Sequence, residues 1–234
     1  MVDFLKKLTV GVIILLLFSH IAKITLINMK KTNEKDKVLY DVYESLRYAV
    51  MMSENETKPV KEWEWQSTDA EIAAQYILQK RILPYVTNHK ECKPNSLDCV
   101  SGFSYLNKDD YEHINYRRGG EYVRSLFGIY DAHIALKLSG ECKRNNKHSV
   151  CGIVILDINN NDSPNTMGYD VFKFAFYGDG MLLPFGIYWD RKDIESECQP
   201  DMSGESCAAK IMLDGWTMKK GGDNPYFIYK KTTQ

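Results

Sequence analysis

Residues Leu8 to Ile27 read Leu-Thr-Val-Gly-Val-Ile-Ile-Leu-Leu-Leu-Phe-Ser-His-Ile-Ala-Lys-Ile-Thr-Leu-Ile. Between Val10 and Phe18 this stretch carries no polar side chain. A helix of about 20 residues spans the roughly 30 Å hydrocarbon core of a bilayer. The stretch therefore predicts an uncleaved membrane anchor, with a cleaved signal peptide and a buried helix of a soluble domain as the alternatives.

Two lysines set the expected orientation of this anchor. Lys6 and Lys7 lie on its short side, and basic residues favour the cytoplasmic side of a membrane. The sequence therefore predicts a single-pass protein of the inner membrane. Its C-terminal domain is expected in the periplasm or at the cell surface.

The apolar pattern continues past the anchor, but on one side of the helix only. Apolar residues recur at steps of three and four, with charged residues between them. These apolar positions are Val38, Leu39, Val42, Tyr43, Leu46, Ala49 and Val50. One helix is thus predicted to run from the membrane to about Met52. The chain divides into a cytoplasmic N-terminus (1–7), a transmembrane segment (8–27), an amphipathic extension (28–53) and an extracytoplasmic globular domain (54–234).

The globular domain is predicted to contain one further helix and an antiparallel sheet. Thr68-x-x-Glu71 forms a capping box that opens a helix over Asp69–Leu83. A glycine turn at Gly178-Asp179-Gly180 predicts a hairpin. Strand patterns cover Tyr122–Ile129, Ala132–Leu138, Val150–Ile158 and Val171–Tyr177. The expected fold class is α+β, with a long N-terminal helix, membrane-embedded in its first half, packed on a small antiparallel β-sheet.

Six cysteines follow the anchor in three close couples. They are Cys92 and Cys99, Cys142 and Cys151, and Cys198 and Cys207. Six cysteines allow 15 pairings, but turn residues between the partners favour a disulfide within each couple. No couple has the short spacing of a zinc knuckle, so a metal site is the weaker alternative. Disulfides are typical of an oxidising environment, which agrees with the expected orientation.

The segment Asp157–Phe172 carries most of a resemblance to a known family. It contains an Asp/Asn turn followed by Pro164-Asn165-x-x-Gly168-x-Asp170-x-Phe172, and Pro184-Phe185-Gly186 comes after the next strand. Near the C-terminus, Cys207-Ala208-Ala209-Lys210 leads to Asp214-Gly215-Trp216. On these residues the chain resembles type IV pilins and type II secretion pseudopilins, and more closely a pilin-like group common in gut relatives of the cyanobacteria.

The resemblance implies a membrane-anchored structural subunit of a type IV pilus or a type II secretion-type filament. Its expected partners are the membrane, other pilin-like subunits and the assembly machinery. The N-terminus departs from the family, since it has no Gly-Phe processing site and no acidic residue in the apolar run. The alternative function is a singly anchored extracytoplasmic binding protein that does not assemble.

The Asp/Asn turn also suggests a calcium loop. Asp157, Asn159, Asn161 and Asp162 offer oxygen ligands in the spacing that starts such a loop. Position six is not Gly and position twelve is not Glu, so the loop is not an EF-hand. The alternative is a turn in which Asn and Asp side chains bond the neighbouring backbone.

Other chemistry finds little support in the sequence. The five histidines include no zinc-protease pair, and the serines include no Gly-x-Ser-x-Gly elbow. We therefore expect no enzymatic activity and no cofactor other than calcium. The 30 basic and 31 acidic residues give a net charge of −1, which offers no electrostatic argument for nucleic-acid binding.

Overall fold

The computed structural model describes residues 35–92, 102–108, 110–114, 123–127, 130–159 and 162–217. The predicted cytoplasmic N-terminus (1–7) and transmembrane segment (8–27) lie outside these residues. The N-terminal positions at which pilins carry their processing site also lie outside them, as do the residues from 218 onward.

The first helix of the described residues, α1, covers residues 35–56. Charged side chains recur through its turns, among them Lys35, Asp36, Asp41, Glu44 and Arg47. In the part of the chain that the structure describes, no helix is long and apolar enough to cross a membrane.

Two predictions are corrected by this finding. The expected long N-terminal helix with a membrane-embedded first half is wrong, because the structure shows a small α+β fold of short helices and two antiparallel sheets. The expected inner-membrane, single-pass localisation is contradicted in the same way. The predicted amphipathic periodicity is present in α1, whose charged side chains give it a polar face, whereas a membrane-spanning helix is apolar on all sides.

The larger sheet has six antiparallel strands in the order β1-β4-β5-β6-β7-β8. Its strands are β1 (Lys90–Glu91), β4 (Val123–Phe127), β5 (Ala132–Leu138), β6 (Val150–Asp157), β7 (Val171–Tyr177) and β8 (Leu182–Pro184). The smaller sheet pairs β2 (Gly102–Ser104) with β3 (Tyr111–His113). The four predicted strands and the predicted hairpin therefore correspond to β4 to β8.

Short helices complete the fold. After a 3-10 turn at Val60–Glu62, α2 (Ala70–Tyr76) continues as a π-helical segment (Ile77–Ile82) and a 3-10 turn (Leu83–Tyr85). The Asp69 side chain caps α2 by accepting from the backbone N–H of Ile72, one residue after the predicted cap. The C-terminal pair is α3 (Arg191–Glu197) and α4 (Cys207–Leu213).

Apolar side chains cover both faces of the larger sheet. On β6, Val154 and Leu156 belong to the main core, which also contains the buried side of α1. Ile153 and Ile155 point the other way, into a second core that includes Phe103 of the smaller sheet. Because neither face meets water, β6 reads as a continuous apolar run instead of an alternating pattern.

Aromatic contacts fix α1 on this sheet. Tyr43 of α1 stacks on Phe174 of β7 with ring centroids 5.1 Å apart. Trp65, which follows α1 in the chain, packs on Phe176 of the same strand with ring centroids 5.0 Å apart. The Tyr43 hydroxyl donates a hydrogen bond to the Leu182 carbonyl oxygen at 3.1 Å. Helix and sheet edge are thus joined by both packing and a buried hydrogen bond.

We expect Tyr43→Phe to lower the free energy of unfolding by about 1–2 kcal/mol, because it leaves the buried Leu182 carbonyl without its donor. Burial raises the pKa of Tyr43 to about 12, so the hydroxyl stays protonated and able to donate. Urea denaturation measures the change. Tyr48→Phe on the exposed side of α1 is the control, and an equal loss there would remove the role assigned to the hydrogen bond.

Candidate functional site

Two buried aspartates lie side by side where β6 ends and β7 begins. Asp157 is the last residue of β6, and Asp170 immediately precedes β7. The Ile158 N–H donates to the Asp170 carbonyl oxygen at 3.0 Å and joins the two strand ends. Asp157 is 1% exposed and Asp170 is 0% exposed. We call this pair, with the groups that contact it, the buried carboxyl cluster.

The Asp170 carboxylate is held from three directions. The Thr166 N–H donates to Oδ1 at 2.7 Å, and Asn159 Nδ2 donates to Oδ2 at 3.3 Å. The Lys35 Nζ of α1 lies 4.0 Å from the same Oδ2. This Nζ also lies 3.6 Å from the centroid of the Tyr169 ring. The cluster therefore connects α1 with the loop between β6 and β7.

The Asp157 carboxyl group is less well satisfied. Its Oδ1 accepts from the Asn159 N–H at 3.1 Å, whereas its Oδ2 is buried with no hydrogen-bond partner among the described residues. The pKa of Asp157 is raised to about 8, chiefly by burial and also by the neighbouring Asp170 charge, while the hydrogen bond from Asn159 and the charge of Lys35 oppose the shift. Burial also raises the pKa of Asp170. The environment therefore disfavours two ionised carboxylates at once.

The structure places the predicted calcium ligands in different surroundings. Asp157 is buried and Asp162 is exposed, while Asn161 lies outside the described residues. Asn159 donates its side-chain N–H to the Asp162 carbonyl oxygen at 2.9 Å. Within the described ranges, no group of three or more His, Cys, Asp and Glu side chains is arranged to hold a metal. Calcium binding stays a prediction, and the observed contacts fit the Asn/Asp turn that was its alternative.

A chelator experiment tests the calcium prediction. If the loop holds calcium, a chelator lowers the thermal midpoint and added calcium restores it, because a ligand that binds only the folded state stabilises it. Asp162→Ala, which removes an exposed candidate ligand, should then abolish the response. A midpoint that neither chelator nor calcium changes removes the calcium site.

Two predicted disulfides are confirmed. Cys142 bonds to Cys151 and Cys198 bonds to Cys207. Cys92 is also disulfide-bonded, while Cys99 lies outside the described residues. None of the described cysteines is a free thiol.

The sequence interpretation missed the two residues that matter most at the cluster. Asp170 is among the residues that carry the resemblance, whereas no sequence pattern singles out Lys35. Asp170 could have been noticed from its position, because it is a carboxylate directly before the apolar strand β7. Lys35 gave no such signal, because its position over Asp170 depends on how α1 lies across the sheet.

Comparisons with known proteins found no match for the chain among family models, curated proteins or solved structures.

Proposed function

We propose that this protein is a pilin-like structural subunit that assembles with other copies or with related subunits into a filament of the type IV pilus or type II secretion type. The proposal takes up the resemblance carried by Asp157–Phe172 and by the segment from Cys207 to Trp216. The observation that carries it is an apolar stripe on the outer side of α1.

This outer stripe consists of Tyr40, Tyr48 and Met51. Their exposed fractions are 41%, 54% and 41%. The opposite side of α1 is fully engaged by the domain core, since Leu39, Val42 and Leu46 are each 0% exposed. Residues 40, 48 and 51 lie on one side of the helix, with the ion pair of Glu44 and Arg47 between them. Helix α1 thus offers exposed aromatic and methionine side chains around one internally paired charge couple, a surface suited to packing against a neighbouring subunit.

The disulfides support a structural role. The Cys198–Cys207 bond encloses the chain between α3 and α4, and the Cys142–Cys151 bond closes the loop between β5 and β6. Covalent closure of surface segments suits a subunit that must keep its shape outside a reducing environment.

Surface substitutions on α1 test the proposal. In the producing cells we expect Tyr48→Glu to reduce recovery of the chain in sheared filaments about tenfold or more, because burying an unpaired charge between subunits costs over about 1.4 kcal/mol. Tyr48→Phe keeps the apolar surface and should assemble normally. Mass spectrometry of the sheared fraction measures both variants. Absence of the unmodified chain from that fraction contradicts the filament function.

A binding protein that does not assemble is the second candidate. A groove of about 490 Å³ favours it. The groove lies between the start of α1 and the end of α4 and is lined by Asp36, Lys37, Tyr40, Gly215 and Trp216. A chain that is monomeric in its native cells and absent from sheared filaments would favour this function.

A further inference from the structure

We propose that Lys35 and Asp170 condense into an intramolecular isopeptide bond, with the Asp157 carboxyl group relaying the proton. The inference concerns the chemistry of the buried carboxyl cluster and does not depend on filament assembly.

The two reacting groups are already in van der Waals range. Lys35 Nζ lies 4.0 Å from Asp170 Oδ2. The Asp170 side chain is 0% exposed and the Lys35 side chain is 26% exposed. The Tyr169 ring lies against the Lys35 amine and restricts its movement. A small movement that brings the Nζ within about 3.5 Å of the Asp170 Cγ gives the effective concentration of an intramolecular reaction.

The pair is a poor salt bridge. The 4.0 Å separation exceeds the length of a good charge-assisted hydrogen bond. An ion pair with a fully buried carboxylate bears a large desolvation cost, which only good geometry repays. Conversion of the half-buried ammonium and the buried carboxylate to a neutral amide removes the buried negative charge and its counter-ion. The cluster therefore favours the condensed product more strongly than an exposed Lys–Asp pair would.

The reaction balances without a co-reactant. A proton passes from the Lys35 ammonium to the Asp170 carboxylate, leaving an amine and a carboxylic acid. The amine nitrogen then forms a bond to the Asp170 Cγ, and the C–O bond to Oδ2 breaks. The Asp157 carboxyl group takes the second amine proton and gives a proton to the departing hydroxyl, which leaves as water. One Lys ammonium and one Asp carboxylate thus become one amide and one water.

The surroundings of Asp170 stabilise the negative charge that develops on Oδ1 when the amine attacks Cγ. The backbone N–H of Thr166 donates to Oδ1 at 2.7 Å, and the backbone N–H of Asn165 also contacts this carboxylate. A backbone N–H aimed at the oxygen that becomes negative stabilises tetrahedral intermediates of acyl transfer, and Thr166 supplies one at Oδ1. After condensation, Oδ1 becomes the amide oxygen and keeps its donor from Thr166.

Asp157 belongs to the same cluster as the two reacting groups. It interacts electrostatically with both Asp170 and Lys35, and the hydrogen bond from Ile158 to Asp170 holds the two chain segments together. Its Oδ2 is directed into the buried region and has no hydrogen-bond partner among the described residues. That oxygen is available for proton transfer.

Intact mass spectrometry of the full chain, with the disulfides reduced and the chain denatured, tests the proposal. We expect a mass about 18 Da below the sequence mass, from the loss of one water. Fragmentation of a protease digest should then give a branched peptide that joins Lys35 to Asp170. Lys35→Arg keeps the positive charge but cannot form the bond, and should have the full sequence mass. A folded wild-type chain at its full mass overturns the proposal.

Two further variants identify the roles of the aspartates. Asp170→Asn should still condense, but with loss of ammonia, about 17 Da, which assigns the bond to this residue. Asp157→Asn should slow condensation about 100-fold, as expected when a general acid–base group is lost. Circular dichroism verifies that each variant is folded. A rate unchanged in Asp157→Asn would remove Asp157 from the mechanism, and an intact mass deficit in Lys35→Arg would refute the cross-link.

Discussion

Phe174→Ala is expected to lower the free energy of unfolding by about 3–5 kcal/mol. Phe174 lies at the centre of β7, is 0% exposed, and carries the stacked Tyr43 ring of α1. Removal of its ring leaves a cavity between helix and sheet, and the neighbouring backbone cannot collapse to fill it, because Phe174 pairs with Val154 on one side and Pro184 on the other.

Urea denaturation monitored by far-UV circular dichroism measures this loss. Phe174→Leu is the matched control, because it keeps most of the side-chain volume and should cost less than about 1.5 kcal/mol. If alanine and leucine destabilise equally, the cavity left by the missing side-chain volume is not the source of the loss.

Replacing both Cys198 and Cys207 with alanine is expected to cost about 2–4 kcal/mol. The disulfide closes a segment with a sequence separation of 9, and its loss gives the unfolded chain more conformations. Both cysteines are 0% exposed and lie in the main core, so the substitution also removes packed sulfur atoms. Thermal unfolding under non-reducing conditions measures the effect.

The other described disulfide supplies a matched control. Cys142 and Cys151 have the same sequence separation of 9, so loss of either bond should change the unfolded chain by the same amount. A difference between the two double-alanine variants therefore reports on packing in the folded state. A loss well below 1 kcal/mol for both variants would contradict the stabilising role of the bonds.

Local sequence signals predicted much of the sheet and its turns. β5 and β7 have the bounds that their apolar patterns indicated, and the turn Gly178-Asp179-Gly180 joins β7 to β8. The disulfides at Cys142–Cys151 and Cys198–Cys207 followed from the proximity of their partners in the sequence. Each of these features depends on neighbouring residues, and such features are encoded locally.

The sequence patterns did not predict the features that depend on contacts between residues far apart in the sequence. The amphipathic periodicity around Leu46 placed α1 correctly, but the long apolar stretch before it led to a prediction of one continuous membrane-rooted helix. The ion pair of Lys35 with Asp170 joins residues that are far apart in the sequence. Burial of Asp157 likewise depends on its surroundings in three dimensions, whereas its sequence neighbours suggested the start of a calcium loop or of an Asn/Asp turn.

The short span of the disulfide loops has a consequence for how this chain reaches its oxidised state. In both described bonds the partners are closer in sequence to each other than to any cysteine of another couple. Closure of a short loop costs less entropy than closure of a long one. The native pairings are therefore also the ones that the unfolded chain samples most often. Oxidation can proceed in any order with few mispaired intermediates, and the chain has little need of an isomerase to correct them.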